Sequence, residues 1–171
     1  MLKVGNKIPE IDMQLDDGSQ FRTADFRGKK NLVFYFYPKD FSRGWTLEAR
    51  SYRDSYEEIL NFEAVLIGVS SGSVDEQREF RRKNGLMFNL LSDTHGDLGK
   101  LFGIRRRWFF WLPSVKRATF VFDKEGVCQG AFSHEFNVTR HVQDTLGVLK
   151  KISNLIIIAP DNLNAPPIEI E

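Results

Sequence analysis

The chain has 171 residues, 42% of them hydrophobic, and its 24 basic and 23 acidic side chains leave a formal charge of +1. This length and apolar content suit one globular domain, which can bury a core without disulfide or metal cross-links. So balanced a charge argues against an electrostatic surface for nucleic acid, and we expect no nucleic-acid partner. We expect no cofactor.

Cysteine and histidine content limits the chemistry further. Cys128 is the only cysteine, so an intrachain disulfide framework and a multi-cysteine zinc site are both excluded. We expect Cys128 to be an inert core thiol, with a substitute nucleophile or an intermolecular disulfide as the alternatives. His95, His134 and His141 lack metal-ligand spacing, so we predict solvated or capping imidazoles and no metal site.

Neither a secretion signal nor a membrane span is predicted. The first residues, MLKVGNKIPEIDM, lack the apolar core of a signal peptide. The longest aliphatic run, at 155–159, is far shorter than the ~20 residues that cross a bilayer. We therefore expect a soluble, cytoplasmic protein.

The first part of the chain predicts alternating strands and helices. Residues 11–24 form a hairpin in this interpretation, with its turn at 16–19. The apolar run NLVFYFY at 31–37 predicts a buried central strand, and a helical stripe of apolar residues follows over 45–60. AVLIGVS at 64–70 predicts a second buried strand.

The next elements continue this alternation. Ser73 and Glu76 form a capping box, and the helix that they open is expected to stop near Gly85. NLLSD at 89–93 predicts a short strand. A brief helix with apolar side chains around Leu98 follows it.

The last part predicts a hairpin and a final helix. ATFVFD at 118–123 and VCQGAFS at 127–133 flank a turn, and Asn137 caps the helix behind them. The order β-α-β-α-β-α-β-β-α favours an α/β fold, with a central mixed sheet covered by helices on both faces. We predict one domain over residues 1–151 and an extended or disordered tail over 152–171.

Six segments in register carry a resemblance to a known family. They are VGNKIPEID, DFRGKKNLVFYFYPKD, the loop PKDFSRGW, VLIGVSSGSVDEQREF, LLSD and RATFVFDKEG. Over residues 3 to about 151 the chain resembles the peroxiredoxin (AhpC/TSA) family, in its bacterioferritin comigratory protein or peroxiredoxin Q group. The resemblance implies a thioredoxin-like fold with an N-terminal hairpin. It also implies thioredoxin-dependent peroxidase activity, with thioredoxin as the partner.

The family's signature loop, Pro-x-x-x-Thr/Ser-x-x-Cys, is altered in this chain. By resemblance Pro38 is the shielding proline, while Ser42 and Arg117 are the groups that orient a peroxide. Trp45 then stands at the reactive cysteine and Arg50 at the partner thiol, five residues on. An indole cannot attack a peroxide oxygen, so we expect the catalytic site to be inactive.

Two roles remain open for the altered loop. Trp45 either fills the vacated pocket or lines a new ligand site, in which Ser42, Arg117 and the helix N-terminus hold an anion. Arg117 either takes part in such binding, caps its strand, or pairs with Glu48.

The segment IRRRWFFWLPSVKR at 104–117 combines arginines with consecutive aromatic residues, a composition typical of interface hot spots. We predict a homodimer interface there, because four adjacent aromatic side chains cannot all point inward from one element. Its candidate residues are Arg106, Trp108, Phe109, Phe110 and Trp111. The alternatives are packing on the sheet, membrane-surface contact and binding of single-stranded nucleic acid.

Three functional hypotheses follow. The first is a relative that has lost peroxide reduction and acts as a binding or regulatory protein. The second is residual thioredoxin-dependent peroxidase activity through Cys128. The third is a homodimeric interaction module that uses residues 104–115.

Overall fold

A computed structural model describes residues 1–37, 43–106, 114–134 and 137–158, with backbone alone for 43–45, 105–106, 114–115, 138 and 156–158. The strands are β1 Asp12–Gln14, β2 Gln20–Arg22, β3 Asn31–Phe36, β4 Ala64–Ser70, β5 Asn89–Ser92, β6 Arg105–Arg106, β7 Ser114–Val115, β8 Ala118–Phe122 and β9 Cys128–Phe132. The helices are α1 Arg43–Asp54, α2 Tyr56–Asn61, α3 Val74–Asn84, α4 Asp97–Leu101 and α5 Val138–Ile158.

Five strands form one mixed sheet in the order β5-β4-β3-β8-β9. β3, β4 and β5 run parallel, whereas β8 pairs antiparallel with β3 and β9 antiparallel with β8. All six residues of β3 are buried, because it is the central strand and both of its faces are covered. The predicted apolar run therefore forms the middle of the sheet.

The two faces of the sheet bury separate apolar clusters. Alternation along β3 sends Phe34 and Phe36 into one cluster, with the β1–β2 hairpin and α4. Val33 and Tyr35 enter the other cluster, under α1, α2, α3 and α5. Helices thus cover both faces, as predicted. Within the described ranges no helix has the length and apolar character needed to cross a membrane.

Local sequence signals are confirmed at three predicted places. The β1–β2 hairpin forms around the turn at 16–19. At the start of α3, Ser73 Oγ accepts from Glu76 N and the Glu76 carboxylate accepts from Ser73 N, and the helix stops at Gly85 with a φ of 61°. Asn137 Oδ1 accepts from Arg140 N, which is the predicted cap of α5.

Two predicted boundaries differ from the structure. The helix expected over 45–60 is divided at Ser55, whose φ of −103° and ψ of 8° bend the chain between α1 and α2. Residues 152–158, predicted as the start of the tail, are instead the last two turns of α5. The helix continues because Ile152 extends the apolar stripe of Val142 and Leu149 and is itself buried. The rest of the predicted tail lies outside the described residues.

Candidate functional site

The chain leaves the sheet at the carboxyl end of β3 and enters α1. Tyr37 is buried directly after the strand, and α1 begins at Arg43. Trp45 lies in the first turn of this helix, where unpaired backbone N–H groups point outward and the helix dipole is positive. Pro38 and Ser42 lie outside the described residues, as does the indole of Trp45.

An ion pair joins α1 to the sheet at this end. Arg117 Nη1 donates to Glu48 Oε2 at 2.6 Å, and both side chains are buried. Arg117 arrives here because the antiparallel register of β8 sets Ala118 opposite Phe36, the last residue of β3. The structure thus shows the pairing with Glu48, one of the roles considered for Arg117.

The buried environment of the Arg117–Glu48 pair disfavours the charged form of the Glu48 carboxylate. Burial raises the pKa of Glu48 to about 8, against the attraction of the Arg117 guanidinium. Glu48 Oε1 has no hydrogen-bond partner in the described part of the chain. A buried carboxyl with one unpaired oxygen is costly, so this side chain accepts a proton far more readily than an exposed glutamate does.

A buried polar network adjoins the pair and was not predicted. Tyr52 Oη lies 3.1 Å from Thr119 Oγ1 and 3.2 Å from Thr145 Oγ1. Thr119 Oγ1 lies 2.9 Å from His141 Nδ1, and His141 Nε2 lies 2.9 Å from His134 O. These groups connect α1, β8 and α5 through the core.

His141 corrects one prediction from the sequence. Its side chain is fully buried, not solvated, and burial lowers its pKa to about 4. The helical spacing could have revealed this, because His141 and Thr145 lie one turn apart on the face that Val142 and Leu149 bury. His134 is half-buried instead, and its Nε2 lies 2.8 Å from Asp144 Oδ2.

The same region fixes the backbone of Arg117. Ser133 Oγ donates to Arg117 O at 3.0 Å, and the next residue, His134, is bonded through its backbone to His141. The arginine is therefore held by β8 on one side and by this network on the other.

Cys128 lies away from this site. It begins β9 within the cluster on the hairpin face of the sheet, whereas the residues of α1 pack on the opposite face. Its side chain is buried, Sγ lies 3.3 Å from Gly130 O, and burial raises the pKa of the thiol to about 11. A buried, neutral thiol of this kind is a poor nucleophile.

Arg50, the predicted partner-thiol position, lies at a separate cavity. This cavity has a volume of about 420 Å³ between α1 and α3, and Arg50 is exposed at its edge. Arg50 Nε donates to Asn84 Oδ1 at 3.3 Å. The position therefore contributes a hydrogen bond between the two helices.

The structure describes only part of the segment that was predicted to form a homodimer interface. The backbone of Arg106 pairs with Ser114 in the β6–β7 ribbon. Trp108, Phe109, Phe110 and Trp111 lie outside the described residues. Over the described ranges, no three His, Cys, Asp or Glu side chains are grouped as a metal ion would require.

This architecture defines a thioredoxin-like α/β protein of the peroxiredoxin kind. Residues 4–131 match the model of the AhpC/TSA family. Peroxiredoxin Bcp of Bacillus subtilis is 34% identical over 155 residues, which cover 89% of this chain and 98% of that protein. The chloroplastic peroxiredoxin Q of Oryza sativa subsp. japonica is 34% identical over 148 residues, covering 86% of this chain and 67% of the relative.

Solved structures agree with the sequence relatives. Peroxidoxin BcpB from Mycobacterium tuberculosis superposes with a TM-score of 0.82 at 29% identity, over 89% of this chain and 99% of that one. The bacterioferritin comigratory protein of Xanthomonas campestris gives a TM-score of 0.74 at 29% identity, over 82% and 90%. The chain belongs to the AhpC/TSA family, which confirms the fold and the family that the sequence predicted.

Proposed function

We propose that this family member does not reduce hydroperoxides through a thiol and acts instead as a binding or regulatory protein. One observation carries the proposal: the only cysteine, Cys128, is buried in β9 on the sheet face opposite α1. Thiol peroxidases need an accessible thiolate, and burial keeps this thiol neutral. The alternative route through Cys128 has no support from its surroundings.

The backbone geometry of α1 adds support. Trp45 lies in its first turn, where the helix terminus would stabilise a thiolate if a cysteine stood there. An indole does not ionise near neutral pH, so the favourable position has no nucleophile to act on. The assignment of Trp45 to the reactive position rests on the resemblance of the loop.

Support for a ligand role comes from the pair of Arg117 and Glu48, because Glu48 follows Trp45 by one turn of α1. Arg117 holds one bond to Glu48, and in the described part of the chain its other guanidinium nitrogens have no partner. A buried guanidinium with free donors suits a small anion, and we propose that Ser42, Trp45 and Arg117 form such a ligand site. A tryptophan that simply fills the pocket is the competing role.

Peroxide turnover with thioredoxin and thioredoxin reductase tests the proposal. The wild-type protein and Cys128→Ala are expected to match the protein-free blank. Trp45→Cys is expected to be oxidised by peroxide, but to need an external thiol for recycling because no second cysteine lies nearby. Wild-type turnover that disappears in Cys128→Ala would establish the alternative route and overturn the proposal.

The remaining partner and location hypotheses are independent of peroxide chemistry. We retain a homodimer through residues 104–115, a cytoplasmic location and, by family resemblance, thioredoxin as a partner. Support for the dimer comes from the composition of that segment alone.

A further inference from the structure

The cavity between α1 and α3 has the features of a small-molecule site. Its volume of about 420 Å³ falls within the range of ligand pockets. Three parts of the chain line it: α1, the carboxyl end of β4 and α3. The lining residues include Thr46, Arg50, Ser70, Glu76, Glu79 and Phe80.

The buried part of the cavity lining is hydrogen-bonded within the protein. Gln77 is buried, and its Nε2 donates to Ser70 Oγ at 2.6 Å and to Leu91 O at 3.2 Å. Its Oε1 accepts from Tyr37 Oη at 2.7 Å. Because Gln77 makes these bonds within the protein, we expect a ligand to be recognised by the side chains at the exposed rim of the cavity.

The rim presents an oriented arginine. Arg50 Nε is held by Asn84 Oδ1, and Asn84 is itself fixed by a bond from its Nδ2 to Phe80 O at 3.0 Å. Across the described residues, the two terminal nitrogens of Arg50 have no partner. A guanidinium held by Nε presents its other edge as a fork, which matches the two oxygens of a carboxylate.

The charged side chains that line the cavity determine which carboxylate ligands can bind. Glu76, Glu79 and Lys83 also line the cavity, and Lys83 Nζ lies 2.8 Å from Glu79 Oε1. The lining thus carries two positive and two negative side chains, and a ligand with one carboxylate and one cationic group matches both signs, whereas a dianion matches only one. Phe80 adds an apolar wall.

We propose that this cavity binds a small zwitterion with a carboxylate on Arg50 and an ammonium group towards Glu76 and Glu79. A free α-amino acid and a short peptide share this chemistry. The inference does not depend on the loss of peroxidase activity, because it concerns a different cavity and is measured without peroxide.

Calorimetry and backbone amide NMR with leucine as the probe test the proposal. Leucine is expected to bind with a Kd of about 1 mM or below, the weak end of specific small-molecule affinity. Its amide shifts should fall on α1, α3 and the end of β4. Leucinamide, which lacks the carboxylate, and succinate, a dianion, should each bind at least tenfold more weakly. A comparison of the affinities of Ala-Leu and leucine shows whether a short peptide or a free amino acid is the better ligand.

Substitutions locate the binding. Arg50→Gln should weaken leucine binding at least tenfold, whereas Arg82→Gln, the same change at an exposed position of α3 outside the cavity, should alter it less than twofold. Asn84→Ala should weaken binding in the wild-type background but not further in Arg50→Gln, since it acts by orienting the arginine.

Three results would overturn the proposal. The first is that neither leucine nor Ala-Leu shows saturable binding at concentrations of about ten times the expected Kd. The second is that succinate binds as tightly as leucine. The third is that Arg50→Gln, with its fold verified by circular dichroism, binds leucine with unchanged affinity.

Discussion

At the scale of single residues, burial of charge distinguishes this site. Glu48 and Arg117 lie in the core beside Tyr52 and His141, and the pKa values of Glu48, Tyr52 and His141 are each moved towards the neutral form. Desolvation is the leading cause in every case, and the neighbouring charges act against it or add to it. The stability of the protein should therefore depend on pH through these few side chains.

Glu48→Gln should remove part of that dependence. The folded pKa of Glu48 is raised from 4.5 to about 8, so the folded state binds more protons than the unfolded state within this window. Wild-type stability should fall as pH rises from 4.5 to 8, and the neutral variant should lack this fall. We expect the difference to be on the order of 1–3 kcal/mol. Denaturant unfolding across the window measures it, and parallel curves for the two proteins would contradict it.

His141→Asn should act in the opposite direction. The folded pKa of His141 is lowered from 6.5 to about 4, so the unfolded state binds the extra proton and wild-type stability falls as pH drops through this window. The variant should lose this acid sensitivity, while lost hydrogen bonds cost about 1–3 kcal/mol at neutral pH. Unfolding free energies against pH provide the measurement, with the exposed His95→Asn as the control. Equal acid sensitivity in wild type and His141→Asn would refute the assignment.

At the scale of elements, the end of α5 is the sharpest difference from the sequence prediction. Ile152 is buried and Leu155 is 63% exposed, although both fall in the segment expected to be a tail. Ile152→Ala should cost about 2–4 kcal/mol of unfolding free energy, as for other large-to-small core changes. Leu155→Ala should cost less than about 0.5 kcal/mol. Similar small effects for both would mean that this part of the helix is not packed.

Elements were predictable where local sequence determines them. The run at 31–37 and the capping box of α3 needed only neighbouring residues, and both are found in the structure. The division at Ser55 was missed because the apolar residues at 52, 56, 59 and 60 keep a helical spacing on both sides of it. The apolar stripe therefore runs on without interruption.

The candidate site was predictable only in part. Arg117 could be identified from the motif before β8, and its pairing with Glu48 was one of the considered roles. The network of Tyr52, Thr119 and His141 could not, because its members come from three elements distant in sequence and are buried only once they meet. Contacts that form only when distant elements pack together produce no recognisable pattern in the local sequence.

At the scale of the whole molecule, the homodimer hypothesis concerns the segment at 104–115. We expect sedimentation of the purified protein to show a dimer at micromolar concentration, since clustered aromatic and arginine side chains favour association. Trp108→Ser with Trp111→Ser should shift the protein to monomer, while Trp45→Ser, outside the segment, should not. A monomeric mass for the wild-type protein at all concentrations would exclude the interface.

The central claim is that a peroxiredoxin fold persists here without a reactive thiol, and trapping of sulfenic acid tests it most directly. Dimedone labelling followed by mass spectrometry of the intact wild-type protein, seconds after micromolar hydrogen peroxide, is expected to show no adduct. Cys128 should stay unmodified, because its thiol is buried and its pKa is raised to about 11. A stoichiometric adduct on Cys128 within that time would contradict the account.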